Sequence, residues 1–122
     1  MKTILIEKHG EFSGHTYDKL VEMLYVNNYK VVIAESLSQI PDMLKEHKPN
    51  VVVTGYTPDI HHVDKTIKFI REYDKTQHHK TDVVILTDHP NKINHMNPIA
   101  VYPKHMDPLH VMQFMSTIDK CR

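Results

Sequence analysis

The chain has 122 residues, 40% of them hydrophobic, which suffices for one core with helices laid on a sheet and predicts a single domain over residues 1–122. Lysine plus arginine and aspartate plus glutamate both number 15, so the chain as a whole carries no electrostatic footprint for nucleic acid or an anionic membrane. The lone cysteine, Cys121, excludes a disulfide framework or a CxxC metal pair, and no apolar run approaches the roughly 20 residues of a membrane span. Met1 leads almost directly into an apolar run where a signal peptide would begin otherwise, so the expected location is the cytoplasm.

In chain order, β-rich runs occur at Thr3 to Glu7, Lys30 to Ala34, Asn50 to Thr54, Asp82 to Leu86 and Ile99 to Tyr102. Their apolar character is continuous and not alternating, the pattern of strands covered on both faces in a parallel sheet. Between them the period becomes helical. Tyr17, Leu20, Val21 and Leu24 share one stripe, as do Ile40, Met43 and Leu44, then Val63, Ile67 and Ile70, and finally Val111, Phe114, Met115 and Ile118. Ser36 with Gln39 has the form of a capping box, although Pro41 argues for a later start or a bend. Asp107-Pro108 is an N-cap and first-turn pair.

Strands alternating with helices imply right-handed βαβ units and a three-layer α/β fold. One connection departs from the plan. Thr87 to Pro98 carries Pro90, Pro98, Asn91, Asn94 and Asn97, with only Ile93 and Met96 as buried positions, so the expected structure is a loop or about one helical turn.

In an open α/β sheet, ligands bind beyond the carboxyl ends of the strands. That rule selects Glu7-Lys8-His9, Thr54-Gly55-Tyr56, Thr87-Asp88-His89 and Pro103-Lys104-His105. On these residues, and in pattern over nearly its whole length, the chain resembles the receiver (CheY-like) domain of bacterial response regulators. The resemblance implies a flavodoxin-like fold with a five-stranded parallel sheet in order 2-1-3-4-5, here with the fourth helix shortened or missing.

That family carries an acidic pair after strand one, an acceptor aspartate after strand three, a Thr or Ser after strand four and a lysine after strand five. Glu7 matches the first acid, while Lys8 stands at the second, which normally ligates magnesium. Gly55 stands at the acceptor when the chain is aligned without gaps from Lys48-Pro49-Asn50. Thr87 and Lys104 match the remaining two. Val101 takes the place of the aromatic three residues before the lysine, with Tyr102 displaced by one, and His105 replaces the proline after it.

Phosphoryl transfer to a carboxylate needs a nucleophilic oxygen and a divalent cation to neutralise the developing charge. Gly55 offers no side-chain oxygen. An ammonium a few ångströms from the metal position repels the ion by about 1 to 4 kcal/mol at effective dielectrics of roughly 80 to 20, so Lys8 opposes magnesium while offering Glu7 a built-in countercharge. The expectation is therefore a degenerate, phosphorylation-independent pseudo-receiver. It is not an enzyme and takes no cofactor or metal. It binds a protein partner, its own output domain or a second copy through a face around Val101, Tyr102, His105 and His110.

Four other chemistries have some support in the sequence. Thr54 as substitute acceptor lacks an adjacent base and reads better as a packed β-former. Asp59, four residues past Gly55, is the alternative phosphoacceptor, although Pro58-Asp59 also fits a turn or a helix cap. His9, His61, His62, His89 and His105 all follow strands on the crevice side, which leaves a metal or small-ligand sensor as a further alternative. Against that stands the absence of HExxH or i, i+4 histidine pairing. Gly10 and Gly14 make no phosphate loop, and Ser13 with Thr16 gives only faint support to a flavin site.

Overall fold

The structure, a computed structural model, describes residues 2–8, 15–56 and 62–121, and of residues 15–17, 62 and 94 the backbone only. Five parallel strands, β1 (Thr3–Glu7), β2 (Lys30–Ala34), β3 (Val51–Gly55), β4 (Asp82–Leu86) and β5 (Ala100–Tyr102), form one sheet in the order β2-β1-β3-β4-β5. Four helices alternate with them: α1 (His15–Val26), α2 (Ile40–His47), α3 (His62–Gln77) and α4 (Pro108–Lys120). The three-layer arrangement and strand order are those expected.

Side chains of successive strand residues point to opposite faces, so each strand feeds two cores. Ile4, Ile6, Val51, Val53, Val84 and Leu86 pack with Leu20 and Leu24 of α1 and with Phe114 and Ile118 of α4. Leu5, Val52, Val83 and Ile85 pack on the other face with Ile40 and Leu44 of α2 and with Val63 and Ile70 of α3. Ile4, Leu5 and Ile6 are all fully buried, each contributing about 1.5–3 kcal/mol, which is why β1 reads as an unbroken apolar run.

β3 is displaced by one residue from the expected Asn50 to Thr54. The Asn50 side-chain oxygen accepts from the Thr3 amide at 2.9 Å, so that end of the strand is closed by a side chain. At the other end Gly55 stays in register with Leu86. β5 starts at Ala100 and not at Ile99, which is 47% exposed.

The segment after β4 has no full helix, as its prolines and asparagines predict. Two 3-10 turns, Pro90–Lys92 and Asn94–Met96, suffice to bring the buried Ile93 and Met96 onto the α2/α3 face. Pro41 delays α2 as expected: a 3-10 turn at Leu37–Gln39 precedes it, and Ser36 makes no side-chain cap. The Gln39 side chain instead accepts from the Glu35 amide at 2.7 Å. Asp107 caps α4, accepting from the His110 amide at 2.8 Å with Pro108 in the first turn.

Candidate functional site at the strand ends

The carboxyl ends of β1, β3, β4 and β5 bring Glu7, Thr54, Gly55, Thr87 and the segment up to Lys104 to one edge of the sheet, as the topology requires. The two halves of this edge are built differently. In the β1–β3 half, Glu7 is fully buried and turns toward α3. Its Oε1 accepts from the Thr54 hydroxyl at 2.8 Å and from the Thr66 hydroxyl at 2.7 Å. Parity dictates this direction: Leu5 faces the α2/α3 layer, so Glu7 does too, and Val52 places Thr54 beside it.

A carboxylate buried this deeply is tolerated only when hydrogen bonds replace its water. Thr54 and Thr66, both fully buried, fill that role from β3 and α3. The sequence expectation that Thr54 has no adjacent base is thus corrected: its hydroxyl donates to the Glu7 carboxylate, a basic oxygen that it shares with Thr66 deep in the α2/α3-side core. Thr66 was missed from sequence, yet it carries a signal. It lies at i+3 from Val63 and i−4 from Ile70, a polar residue on a buried helix stripe, where only a partnered hydroxyl belongs.

Gly55 ends β3 half-buried, followed by Tyr56, whose amide donates to the Leu86 carbonyl at 3.0 Å. Lys8, half-buried, leaves β1 with its amide donating to Ala34 at 2.8 Å. Asp59, His9 and His61 lie outside the described residues, as does the side chain of His62. Among the described residues, no three His, Cys, Asp or Glu side chains gather into a set able to hold a metal ion.

In the β4–β5 half, contacts are local. Thr87 is 2% exposed; its hydroxyl accepts from the His89 amide at 3.0 Å, and its own amide donates to the Tyr102 carbonyl at 2.8 Å. The Asp88 carboxylate accepts from the Lys104 amide at 3.3 Å, tying the loop after β4 to the loop after β5. Thr87, Asp88, Pro90, Val101, Tyr102 and Pro103 line a shallow depression of about 320 Å³.

The expected interaction face is only partly on the surface. His105 is exposed, and His110 is partly exposed, its ring Nδ1 3.0 Å from Asp107. Val101 is half-buried against the α2/α3-side core. Tyr102 corrects the expectation: it is 8% exposed and belongs to the α1/α4-side core. Its ring meets Phe114 edge-on at 6.1 Å, and its hydroxyl lies 2.6 Å from that of Thr117. The one-residue displacement of this aromatic moves it to the opposite face of the sheet.

Solved structures similar to this one are receiver domains. The pseudo-receiver domain of the CikA protein matches with a TM-score of 0.66 and 21% identity, over 97% of this chain and 93% of that one. The chemotaxis response regulator CheY4 of Vibrio cholerae matches with a TM-score of 0.73 and 14% identity, over 97% and 98%. The non-phosphorylated HemR receiver domain from Leptospira biflexa matches with a TM-score of 0.68 and 17% identity, over 98% and 93%. The fold is that of the CheY-like receiver domains. No protein family model and no curated protein sequence matches the chain.

Proposed function

We propose that the chain is a receiver-type regulatory module in signal transduction that passes its signal by protein contact, independently of phosphorylation. The observation that carries this reading is the end of β3. Gly55 ends β3, where a receiver aligned without gaps from Lys48-Pro49-Asn50 would have its acceptor carboxylate, and the nearby acid, Glu7, is buried and accepts from Thr54 and Thr66. A buried carboxylate that accepts from a β3 hydroxyl and an α3 hydroxyl ties α3 to the sheet, a structural use of the acid. Lys8, next in the chain, stands where the resemblance puts a magnesium-ligating acid, so this position carries positive charge in place of a metal ligand. Likeness to the CikA pseudo-receiver domain supports the same reading.

In this role the module is not an enzyme and works in the cytoplasm on a protein partner or on its own output domain, with His105 and His110 on the exposed part of the face after β5. Switching then rests on differential affinity of the partner for two conformations. The test is intact-mass measurement after incubation with a small acyl-phosphate donor and magnesium. Unchanged mass is expected. Gain of one phosphoryl group overturns the reading, and loss of that gain in Asp59→Ala would locate the acceptor.

A further inference from the structure

Helix α3 has three sides, and the fold covers two of them. Val63, Thr66 and Ile70 face the sheet and are buried. Phe69, Glu72, Tyr73 and Thr76 line a groove of about 340 Å³ with Pro41 and Lys45 of α2. The helical period puts Lys68, Arg71 and Lys75, at i, i+3 and i+7, on the remaining flank, turned away from α2 and toward the β4–β5 end of the sheet. Arg71 bears this out, since its Nη1 donates to the carbonyl of Thr81, just ahead of β4, at 3.3 Å. Beyond the flank the crossover from β4 to β5 has only its two 3-10 turns, which send Ile93 and Met96 into the core and leave Lys92 exposed. A full helix there would stand against α3; the low turns leave its flank open.

The charges on this flank are held unequally. Arg71 lies 3.6 Å from Asp74, whose carboxylate is already taken up by the Thr81 amide and hydroxyl at 3.0 and 2.7 Å. Lys68, Lys75 and Lys92 are exposed and enter no ion pair among the described residues. The zero formal net charge of the chain therefore hides a local basic strip, built on α3 and continued by the turns after β4.

We infer that this flank receives an acidic helix of a partner protein, laid over the 3-10 turns and beside α3, with its carboxylates against Lys68, Lys75 and Lys92. The inference rests on reading the chain as a module that works by protein contact, and it adds the chemistry of the partner. Charge complementarity fixes the sign. The spacing fits a helix, because Lys68 and Lys75 stand two turns apart, about 10 Å, the separation of carboxylates at i and i+7 on a facing helix. A nucleic acid fits less well: the exposed carboxylates of Asp64 and Asp88 flank the strip, and phosphate backbones bind through longer runs of cations.

Fluorescence anisotropy and two-dimensional amide NMR of the full chain test it, with an alanine-rich helical peptide whose glutamates recur at i, i+3 and i+7 as the probe. Saturable binding is expected at low salt and weakens as salt rises, with amide shifts confined to α3 and the segment after β4. Combined Lys68→Glu and Lys75→Glu should weaken it about 10-fold or more, while Lys19→Glu, on α1 across the sheet, should leave it unchanged. All three lysines are exposed, so the variants should fold, as circular dichroism will confirm. Absence of saturable binding, indifference to the double charge reversal, or equal affinity for a scrambled peptide of the same composition overturns the inference. Tighter binding of a single-stranded RNA oligonucleotide overturns it as well. No phosphodonor enters this measurement, so its failure is distinguishable from a gain of phosphate by the chain.

Discussion

The β1–β3 and β4–β5 halves of the strand-end edge use similar residues to opposite ends. In the first, an acid and two threonines bond to one another across three elements, so each side chain's place depends on the others. In the second, a threonine and an aspartate bond to main-chain amides of the adjoining loops. A side chain that satisfies a neighbouring amide shapes a loop; a buried carboxylate shared by a strand and a helix holds layers together. The difference teaches that the first half is tied across layers by buried side chains, while the second is a scaffold of local turns.

Removing the shared acceptor should give the largest effect. Glu7→Ala removes the acceptor shared by the Thr54 and Thr66 hydroxyls, and at about 1.5–3 kcal/mol for each hydrogen bond to a charged group the loss should reach about 3–5 kcal/mol in urea unfolding. Glu7→Gln keeps a carbonyl oxygen and should lose clearly less. Equal losses in the two variants would show that the charge, not the acceptor geometry, holds this half together.

Next in size is Thr66→Val, which preserves shape and removes one donor. A loss of about 1–3 kcal/mol is expected, with faster amide exchange over the first half of α3 and unchanged protection in β4. Uniform loss of protection across the sheet would mean that Thr66 acts through the whole core rather than as a tie between α3 and β1.

Much of this fold was legible because continuous apolar runs and helical stripes are direct images of double-sided and single-sided burial. β1, β2 and β4 begin and end where their apolar runs do. β3 shifted because Asn50 closes its end with a side chain, which a hydrophobicity pattern does not register. Ile93 and Met96 were readable as buried positions even without a helix, since little else in that segment is apolar. The site was less legible. The positions of Glu7, Gly55, Thr87 and Lys104 follow from strand ends, but the direction in which Glu7 points depends on which face each alternate residue takes, and a run buried on both sides conceals that. Tyr102 was misplaced for the same reason: one residue along a strand carries its ring into the α1/α4-side core, and it reaches the depression after β4 only as part of its wall.

A titration separates both halves from the opposite pole of the molecule, where α4 ends against β1. There Lys2 Nζ donates to the carbonyls of Ile118 and Asp119 at 2.9 and 2.7 Å, and Tyr29 donates to Asp119. Burial, and then the nearby Asp82 carboxylate, push the Cys121 thiol up from 9.0 to about 11. The folded state therefore keeps this proton when the unfolded chain has lost it. Stability is fully present below pH 9 and falls as pH rises toward 11, by on the order of 1–2 kcal/mol. Urea titrations at pH 8 to 11 should show the decline, and Cys121→Ala should remove the part that begins at pH 9, leaving the part above pH 10 that comes from Tyr29, whose hydroxyl is pushed up to about 12 by burial and then by Asp119. Glu7→Ala, whose defect lies at the other end of β1, should leave the slope intact.

The smallest expected effect falls in the β4–β5 half and decides whether that half is as local as its bonds indicate. Thr87→Ala removes the acceptor for the His89 amide but leaves the Thr87 amide on Tyr102, so the ladder between β4 and β5 persists. His89 is exposed, and water can take the freed amide. The loss should stay at or below about 1 kcal/mol, with Thr87→Ser recovering most of it. A loss above about 2 kcal/mol would give the Thr87 hydroxyl a weight comparable to that of Thr66. The two halves would then be equally load-sharing, and a switch passing through the loop after β4 would have the energetic purchase that local turn bonds do not supply.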